Sequence, residues 1–303
     1  MSHPINSQPD AAFEKHLKVE SDLVAAVDLL AEATGFSKQH IKQIMQKGAV
    51  WVTPASGSDK NAQHLRRAKK VLHRGDELHL YYDEKILAEV PAVPELIADE
   101  GDYSVWYKPY GLRSQGSKWG DHCTISRWVE THLEPQRPAF IVHRLDRAAT
   151  GLIIIAHKKS TAAQFSYLFA TRKIEKRYRV VVQGKFPESP QPFMMSQAID
   201  GRASVSHAAF LEYDAAQDRS LLEMHIETGR KHQIRKHLAE AGYPVVGDRL
   251  HGDAKETEKQ NLQLTACYLT FNIADIDADE SSRPDGKKEY RLDDKYIVSL
   301  SCK

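Results

Sequence analysis

The chain is short of cysteine, of long apolar runs and of net charge, and each shortage excludes something. Its 303 residues hold three cysteines, Cys123, Cys267 and Cys302. They are odd in number and far apart, which predicts free thiols in a reducing cytoplasm rather than a disulfide scaffold. Neither Cys-x-x-Cys nor His-Glu-x-x-His occurs. His232 and His237 stand five apart, a poor ligand spacing on a helix, so no metal is expected. No stretch approaches about eighteen uncharged apolar residues, so no membrane span is expected. No basic segment followed by an apolar core opens the chain, so no secretory signal is predicted. No Gly-x-Ser-x-Gly is present, which speaks against a nucleophile-elbow hydrolase.

What is present is enough for a substantial core. The hydrophobic fraction is 41%, in a length that suits one large or two ordinary domains. Net charge is only +1, whereas nucleic-acid enzymes usually carry a basic footprint. The distribution answers the total. Lys60, Arg66, Arg67, Lys69, Lys70 and Arg74 form a run without an acid. Arg172, Lys173, Lys176, Arg177 and Arg179 form a second, with Glu175 alone opposing. Acids gather instead near the end, at Asp275, Asp277, Asp279 and Glu280. A charge run by itself is usually a solvated face.

Patterns along the chain suggest its parts. Residues 1–18 are polar and read as a loose arm. Ser21 is a candidate N-cap for a helix with Leu23, Val27, Leu30 and Ala31 on one face, ended by Gly35. Ser37 caps a second, with Ile41, Ile44 and Met45 inward. Ala49–Val52 and Leu78–Tyr82 read as strands. Residues 86–100, with Pro91 and Pro94, read as a linker before a catalytic domain over 101–303. Beyond it, strand and helix signals alternate. Ser160 caps a helix carrying Phe165, Leu168 and Phe169. Leu222, Met224 and Ile226 mark a strand. Gly229 opens a helix with Ile234, Leu238 and Ala241 on its core face.

The most informative stretch is His143-Arg144-Leu145-Asp146-Arg147, between the apolar runs Phe140–Val142 and Gly151–Ala156. Short β-branched runs read as buried strands, so a carboxylate and two arginines hang at a sheet edge. Catalytic groups tend to sit in such places. Read alone, Asp146 is far more often a turn residue or a solvated ion-pair partner of Arg144 or Arg147.

More of the chain joins the pattern. His143–Gly151 resembles the catalytic loop of the RluA-type pseudouridine synthases, with Ala149 where that family more often has threonine. Lys176-Arg177-Tyr178 resembles the family's Lys-x-Tyr strand. Thr228–Leu238 resembles its Thr-Gly-Arg-x-His-Gln-Ile-Arg helix, and Gly242–Asp248 follows as in the family. Lys108–Leu112 and Leu264-Thr265-Ala266 also fit. Several motifs in order are far more specific than one.

The resemblance implies an α+β fold with a mixed, largely antiparallel central sheet flanked by helices. It implies an isomerase acting on uridines in RNA without a cofactor. Asp146 would be the catalytic carboxylate, Tyr178 the ring beneath the base, and Arg235 the cation beside Asp146. Further RNA contacts would come from His143, Arg144, Arg147, Lys176, Arg230 and His232.

Residues 19–85 resemble, more loosely, the alpha-L RNA-binding domain, also called the ribosomal-protein S-four fold. Lys38, Lys42, Lys47, Arg66, Arg67, Lys69 and Lys70 would then meet phosphates. The alternative is a small cap packed on the enzyme. By analogy with the family, ribosomal RNA of the large subunit is the favoured substrate and transfer RNA the second. The protein is expected to be a cytoplasmic monomer. A catalytically silent RNA-binding protein is the rival class, and joint retention of Asp146, Tyr178 and Arg235 argues against it.

Overall fold

The computed structural model describes residues 12–56, 61–252, 260–272 and 286–300. Most of the arm, Lys60, the acids at 275–280 and Cys302 lie outside the described residues. The chain divides into two units. One comprises Met1–Pro91 with Gln115–Trp128, the other Ala92–Ser114 with Val129–Lys303.

The first unit is a small sheet backed by two helices. Its strands run in the order Phe13–Lys18, Glu77–Tyr82, Val50–Thr53 and Gln63–His64, all antiparallel. The Ser37 hydroxyl accepts from His40 N and starts the Lys38–Gln46 helix. Ile41, Ile44 and Met45 then fall on one face and are buried with Leu30, Leu78 and Leu80.

Two readings of this unit need correction. Phe13–Lys18 is no loose arm: it pairs along its length with Glu77–Tyr82, and the Phe13 ring lies 5.1 Å from Tyr82. Ser21 does not cap the first helix, which runs over Ala26–Thr34. Val24–Ala25 instead pairs with Val71–Leu72, so its backbone groups go to a ladder rather than a helical turn. Leu23 is consequently 76% exposed.

A segment from further along the chain completes this unit. Asp121 N donates to the Lys47 carbonyl at 3.0 Å, and the Asp121 carboxylate pairs with Arg66. Trp51 Nε1 donates to the Lys118 carbonyl at 3.1 Å. Gly48 makes room for this: its φ is +81°, and a Cβ there would stand 2.3 Å from Asp121 Oδ1.

The second unit is built on a ten-stranded sheet. Its path runs through Phe193–Met195, Ser206–Asp214, Arg219–Ile226, Glu175–Gln183, Leu264–Asn272, Thr150–Ala156, Tyr103–Lys108 and Glu95–Asp99. Lys287–Arg291 and Phe140–Ile141 pair off this path. The sheet is mixed and largely antiparallel, as expected. Every pairing is antiparallel except that of Thr150–Ala156 with Leu264–Asn272, which registers only Thr150 on Thr265 and Gly151 on Ala266. At this parallel seam Gly151 has φ +118°, and a Cβ would lie 2.3 Å from the Ala266 carbonyl oxygen. Only glycine lets the two strands approach so closely. Helix Lys159–Ala170 buries Phe165 and Leu168, although Ser160 lies inside the helix rather than capping it.

The expected linker is largely structured. Glu84–Ala88 is a short helix, and Glu95–Asp99 is the edge strand beside Tyr103–Lys108. Prolines beside an edge strand cost no ladder bond, so Pro91 and Pro94 mislead. No described helix is long and apolar enough to cross a membrane.

Gly48→Ala should destabilise the first unit by about 1–2 kcal/mol through its left-handed backbone alone, with the Asp121 clash adding to that. Thermal melting of the full chain measures it. An unchanged transition would mean that the 115–128 segment is not held as described.

Candidate active site

The loop bearing Asp146 is fastened by its neighbours in the chain's fold. Ala149 N donates to the Asp146 carbonyl at 3.1 Å. Ser114 Oγ donates to the Leu145 carbonyl at 2.7 Å and accepts from Leu145 N at 3.0 Å. Gly111 N donates to the Arg147 carbonyl at 2.9 Å, and Arg147 Nε returns a bond to the Gly111 carbonyl at 3.2 Å. Two turns, Lys108–Ser114 and Leu145–Ala149, are thereby stapled together. Thr150 then carries the chain directly into the parallel seam.

Lys108 lies fully buried under these turns. Its ammonium donates to the carbonyls of Leu112 at 2.9 Å, Pro109 at 3.0 Å and Arg147 at 3.4 Å. Burial pulls its pKa down to about 7, against the opposing pull of Asp146.

Arg235 is the centre of the site. It sits on helix Gln233–Glu240 beside the inward Ile234 and Leu238, and its side chain is 4% exposed. Arg235 is thus itself part of the buried face. Its Nη1 donates to Asp146 Oδ2 at 3.0 Å. Its Nε and Nη2 donate to Asp248 Oδ2 at 2.8 Å and Oδ1 at 2.6 Å. Only Arg offers this planar fork, which can hold one carboxylate bidentately and still reach another.

Asp248 is the residue that sequence reasoning passed over, although Gly247-Asp248 closes one of the quoted motifs. It is 1% exposed. Burial opposes its ionisation, but Arg235 and the N–H groups of Leu250 and His251 keep its carboxyl below the ordinary value. Burial likewise works against the Arg235 charge, and the two carboxylates overcome it.

Tyr178 is 8% exposed and reaches the site through an irregularity. The pairing of Glu175–Gln183 with Leu264–Asn272 slips between Arg177 and Tyr178, which brings Tyr178 opposite Ala266 at the seam. Bulges of this kind re-aim side chains beside active sites. Burial, then the Asp146 charge, pushes the Tyr178 hydroxyl pKa upward. The ring therefore stays protonated across the physiological range. Asp146, Tyr178 and Arg235, named from three separate motifs, thus converge on the region where two antiparallel half-sheets meet.

Other named residues are placed differently. His143 Nε2 accepts the Ile154 N–H at 2.9 Å, a backbone donor left over where the parallel pairing stops. Burial, with Lys176 adding, lowers its pKa to about 3, so it is neutral and holds the sheet rather than a phosphate. Lys176 lies 5.5 Å over the Phe169 ring, with its pKa lowered by burial. Arg230 Nε donates to the Ala203 carbonyl at 3.1 Å. Arg144 and Arg147 are exposed. His232 Nε2 stands 3.8 Å from Asp146 Oδ1. In the first unit Lys38 pairs with Asp28 at 2.7 Å and Arg66 with Asp121, while Lys42, Arg67, Lys69 and Lys70 are exposed. Among the described residues no acid, histidine and cysteine cluster could hold a metal.

Known proteins resemble this chain in sequence and fold. Residues 102–240 match the family described as RNA pseudouridylate synthase. A protein named an uncharacterized RNA pseudouridine synthase from Aquifex aeolicus is 28% identical over 273 residues, covering 82% of this chain and 83% of that one. A tRNA pseudouridine synthase C from Vibrio parahaemolyticus is 27% identical over 212 residues, covering 60% of this chain and 85% of its own length. In fold, the structure of human RNA Pseudouridylate Synthase Domain Containing 1 matches with a TM-score of 0.55 at 22% identity, over 69% of this chain and 88% of that one. Residues 102–240 thus match the RNA pseudouridylate synthase family, and the relatives' names support an RNA pseudouridine synthase, an isomerase.

Proposed function

We propose that this enzyme isomerises uridines in structured RNA, with large-subunit ribosomal RNA as substrate and Asp146 as nucleophile. The observation that carries the reading is the hold on Asp146: one oxygen is fixed by Arg235, which is itself locked by a buried carboxylate. A carboxylate paired with a guanidinium and one-quarter exposed is a nucleophile with a way out to substrate. The target base must leave its stack, at a cost of a few kcal/mol. The Tyr178 ring offers a flat surface for it, worth about 1–3 kcal/mol. The N1–C1′ bond breaks, the uracil turns, and a C5–C1′ bond replaces it. The C5 proton leaves and N1 gains one, so the sum is an isomerisation without redox change.

The exposed Lys42, Arg67, Lys69 and Lys70 support an RNA-binding, alpha-L-like role for the first unit. The buried free thiols of Cys123 and Cys267 suit a reducing cytoplasm, where the protein acts as a monomer. Transfer RNA is the second reading, favoured by the Vibrio parahaemolyticus and Yersinia pestis relatives named tRNA pseudouridine synthase C. Mapping pseudouridines in RNA from cells with and without the protein decides between the two. Loss of sites in transfer RNA alone would discard the ribosomal assignment.

Asp146→Asn should abolish tritium release from transcripts containing C5-tritiated uridine while leaving the fold and RNA affinity nearly intact. Substantial release by the purified variant would remove Asp146 from the chemistry.

Arg235→Ala should slow the reaction strongly and Arg235→Lys less so. Arg235→Ala should also cost about 3–5 kcal/mol of stability, because it leaves Asp248 buried without its cation. A melting temperature and rate like those of the unaltered protein would show that the clamp is idle.

Neutralising Lys42, Arg67, Lys69 and Lys70 to Gln should flatten the dependence of log affinity on log salt by roughly 0.7 for each phosphate that these side chains neutralise. Single-turnover rates at saturating RNA should stay unchanged. Identical slopes would make the first unit a cap rather than an RNA-binding module.

A further inference from the structure

Arg235 takes only one oxygen of Asp146, Oδ2. The other, Oδ1, faces His232 Nε2 at 3.8 Å. On its far side, His232 Nδ1 lies 3.0 Å from His251 Nε2, and the two rings meet edge-on at 70° with centroids 5.2 Å apart. A close contact between two neutral imidazoles needs one N–H and one lone pair. Two arrangements satisfy it. If His232 donates from Nδ1, its bare Nε2 lone pair faces a carboxylate, and two acceptors oppose each other. If His251 donates from Nε2, His232 accepts at Nδ1 and carries its own proton at Nε2, toward Asp146. Only the second arrangement is attractive at both ends.

The surroundings fix both rings. His232 sits at φ +56°, the left-handed region, immediately before helix Gln233–Glu240. A non-glycine residue is held there only when its surroundings demand it, and such residues gather at functional sites. His251 is fixed through its backbone, since its N–H and that of Leu250 donate to Asp248 Oδ1 at 3.1 and 3.0 Å. The same oxygen receives Arg235 Nη2. Asp248 therefore anchors both routes to Asp146, one through Arg235 and one through His251 and His232.

Burial, with the nearby cations, keeps the pair neutral. Burial lowers the pKa of His232; Asp146 raises it, while Arg235, His251 and Lys231 lower it further. Burial also lowers that of His251; Asp248 and Asp146 raise it, while Arg235 and Lys236 lower it. At neutral pH the tautomer, not the charge, decides what faces Asp146.

We propose that His232, kept in its Nε2–H form by His251, is a positioning residue that holds Asp146 Oδ1 while Arg235 holds Oδ2. The carboxylate is then presented to the substrate in one orientation. The contact must shorten by about 1 Å to become a full hydrogen bond, and such bonds commonly tighten when substrate closes the site. The role rests on Asp146 being the reacting carboxylate. It differs from the RNA contact that the resemblance implied for His232, because it acts on rate rather than affinity.

Single-turnover tritium release tests it, on a large-subunit ribosomal or transfer RNA transcript, carrying C5-tritiated uridine, that the unaltered protein converts. His232→Ala should lose about 100-fold in rate at saturating RNA, the scale of a 1 Å misplacement, with RNA affinity within about twofold of the unaltered protein. His232→Gln retains a donor near the Nε2 position and should recover much of the loss. His251→Ala should lose roughly 10-fold, the usual scale for removing a group that orients another, and His251→Gln should restore it. If His232→Ala does not fold, the His251 pair carries the test. Weakened affinity at an unchanged saturated rate would return His232 to phosphate binding and overturn the proposal, as would Gln variants no better than Ala. Asp146→Asn separates the two levels. An active Asp146→Asn refutes the functional reading itself, whereas an inactive one beside unimpaired His232 and His251 variants refutes only this inference.

Discussion

Arg235 supplies one positive charge to two carboxylates, and the surrounding chain is arranged around that shortfall. Asp248 is nearly dry and takes two of the three guanidinium bonds. Two backbone N–H groups complete its shell. The third guanidinium bond goes to Asp146, which keeps partial exposure and an oxygen that Arg235 does not reach. On the role proposed for Asp146, the division matters because the two acids need opposite surroundings. A structural carboxylate is most stable when fully satisfied, whereas a reacting one must keep capacity for its substrate. A single guanidinium shared unequally provides both.

The sheet explains why these groups can meet. Two antiparallel half-sheets join at a parallel contact only two residues long. A full ladder would have used every backbone group there. The short seam leaves the Ile154 N–H to be met by His143, lets Gly151 press against Ala266, and sets the slipped Tyr178 opposite the same alanine. The Asp146 loop enters at that point. Lys108 fills the space beneath with an ammonium satisfied by carbonyls, so the turns are bound to a buried donor and not merely packed on each other. The site thus occupies a place where regular pairing ends and side chains take over its hydrogen bonds.

The first unit shows a different constraint. Its sheet and helices follow from local pattern, yet it also incorporates Gln115–Trp128, reached only after the chain has entered the second unit. Ser114, the residue just before that segment, holds the Asp146 loop at Leu145. The chain therefore passes directly from a fixed point of the site into the first unit. Such interleaving is invisible to a linear reading, which divides a chain by composition.

Features that depend on near neighbours were legible in the sequence. Ser37 with Ile41, Ile44 and Met45 specified a capped amphipathic helix, and Leu222, Met224 and Ile226 specified a half-buried strand, because both rest on periods of a few residues. Asp146, Tyr178 and Arg235 were legible too, through the resemblance of their flanking motifs and not through any pattern that required them to touch. Long-range packing settled the rest. It turned Phe13–Lys18 into an edge strand on Glu77–Tyr82, because a ladder partner can outweigh weak local signals. It made His143 a neutral support, because only the place where a parallel pairing stops leaves a donor for it. It also chose Asp248 as the anchor of Arg235 and set His232 against the free oxygen of Asp146. The Arg235 contacts join residues 13 and 89 positions apart, which no local preference encodes.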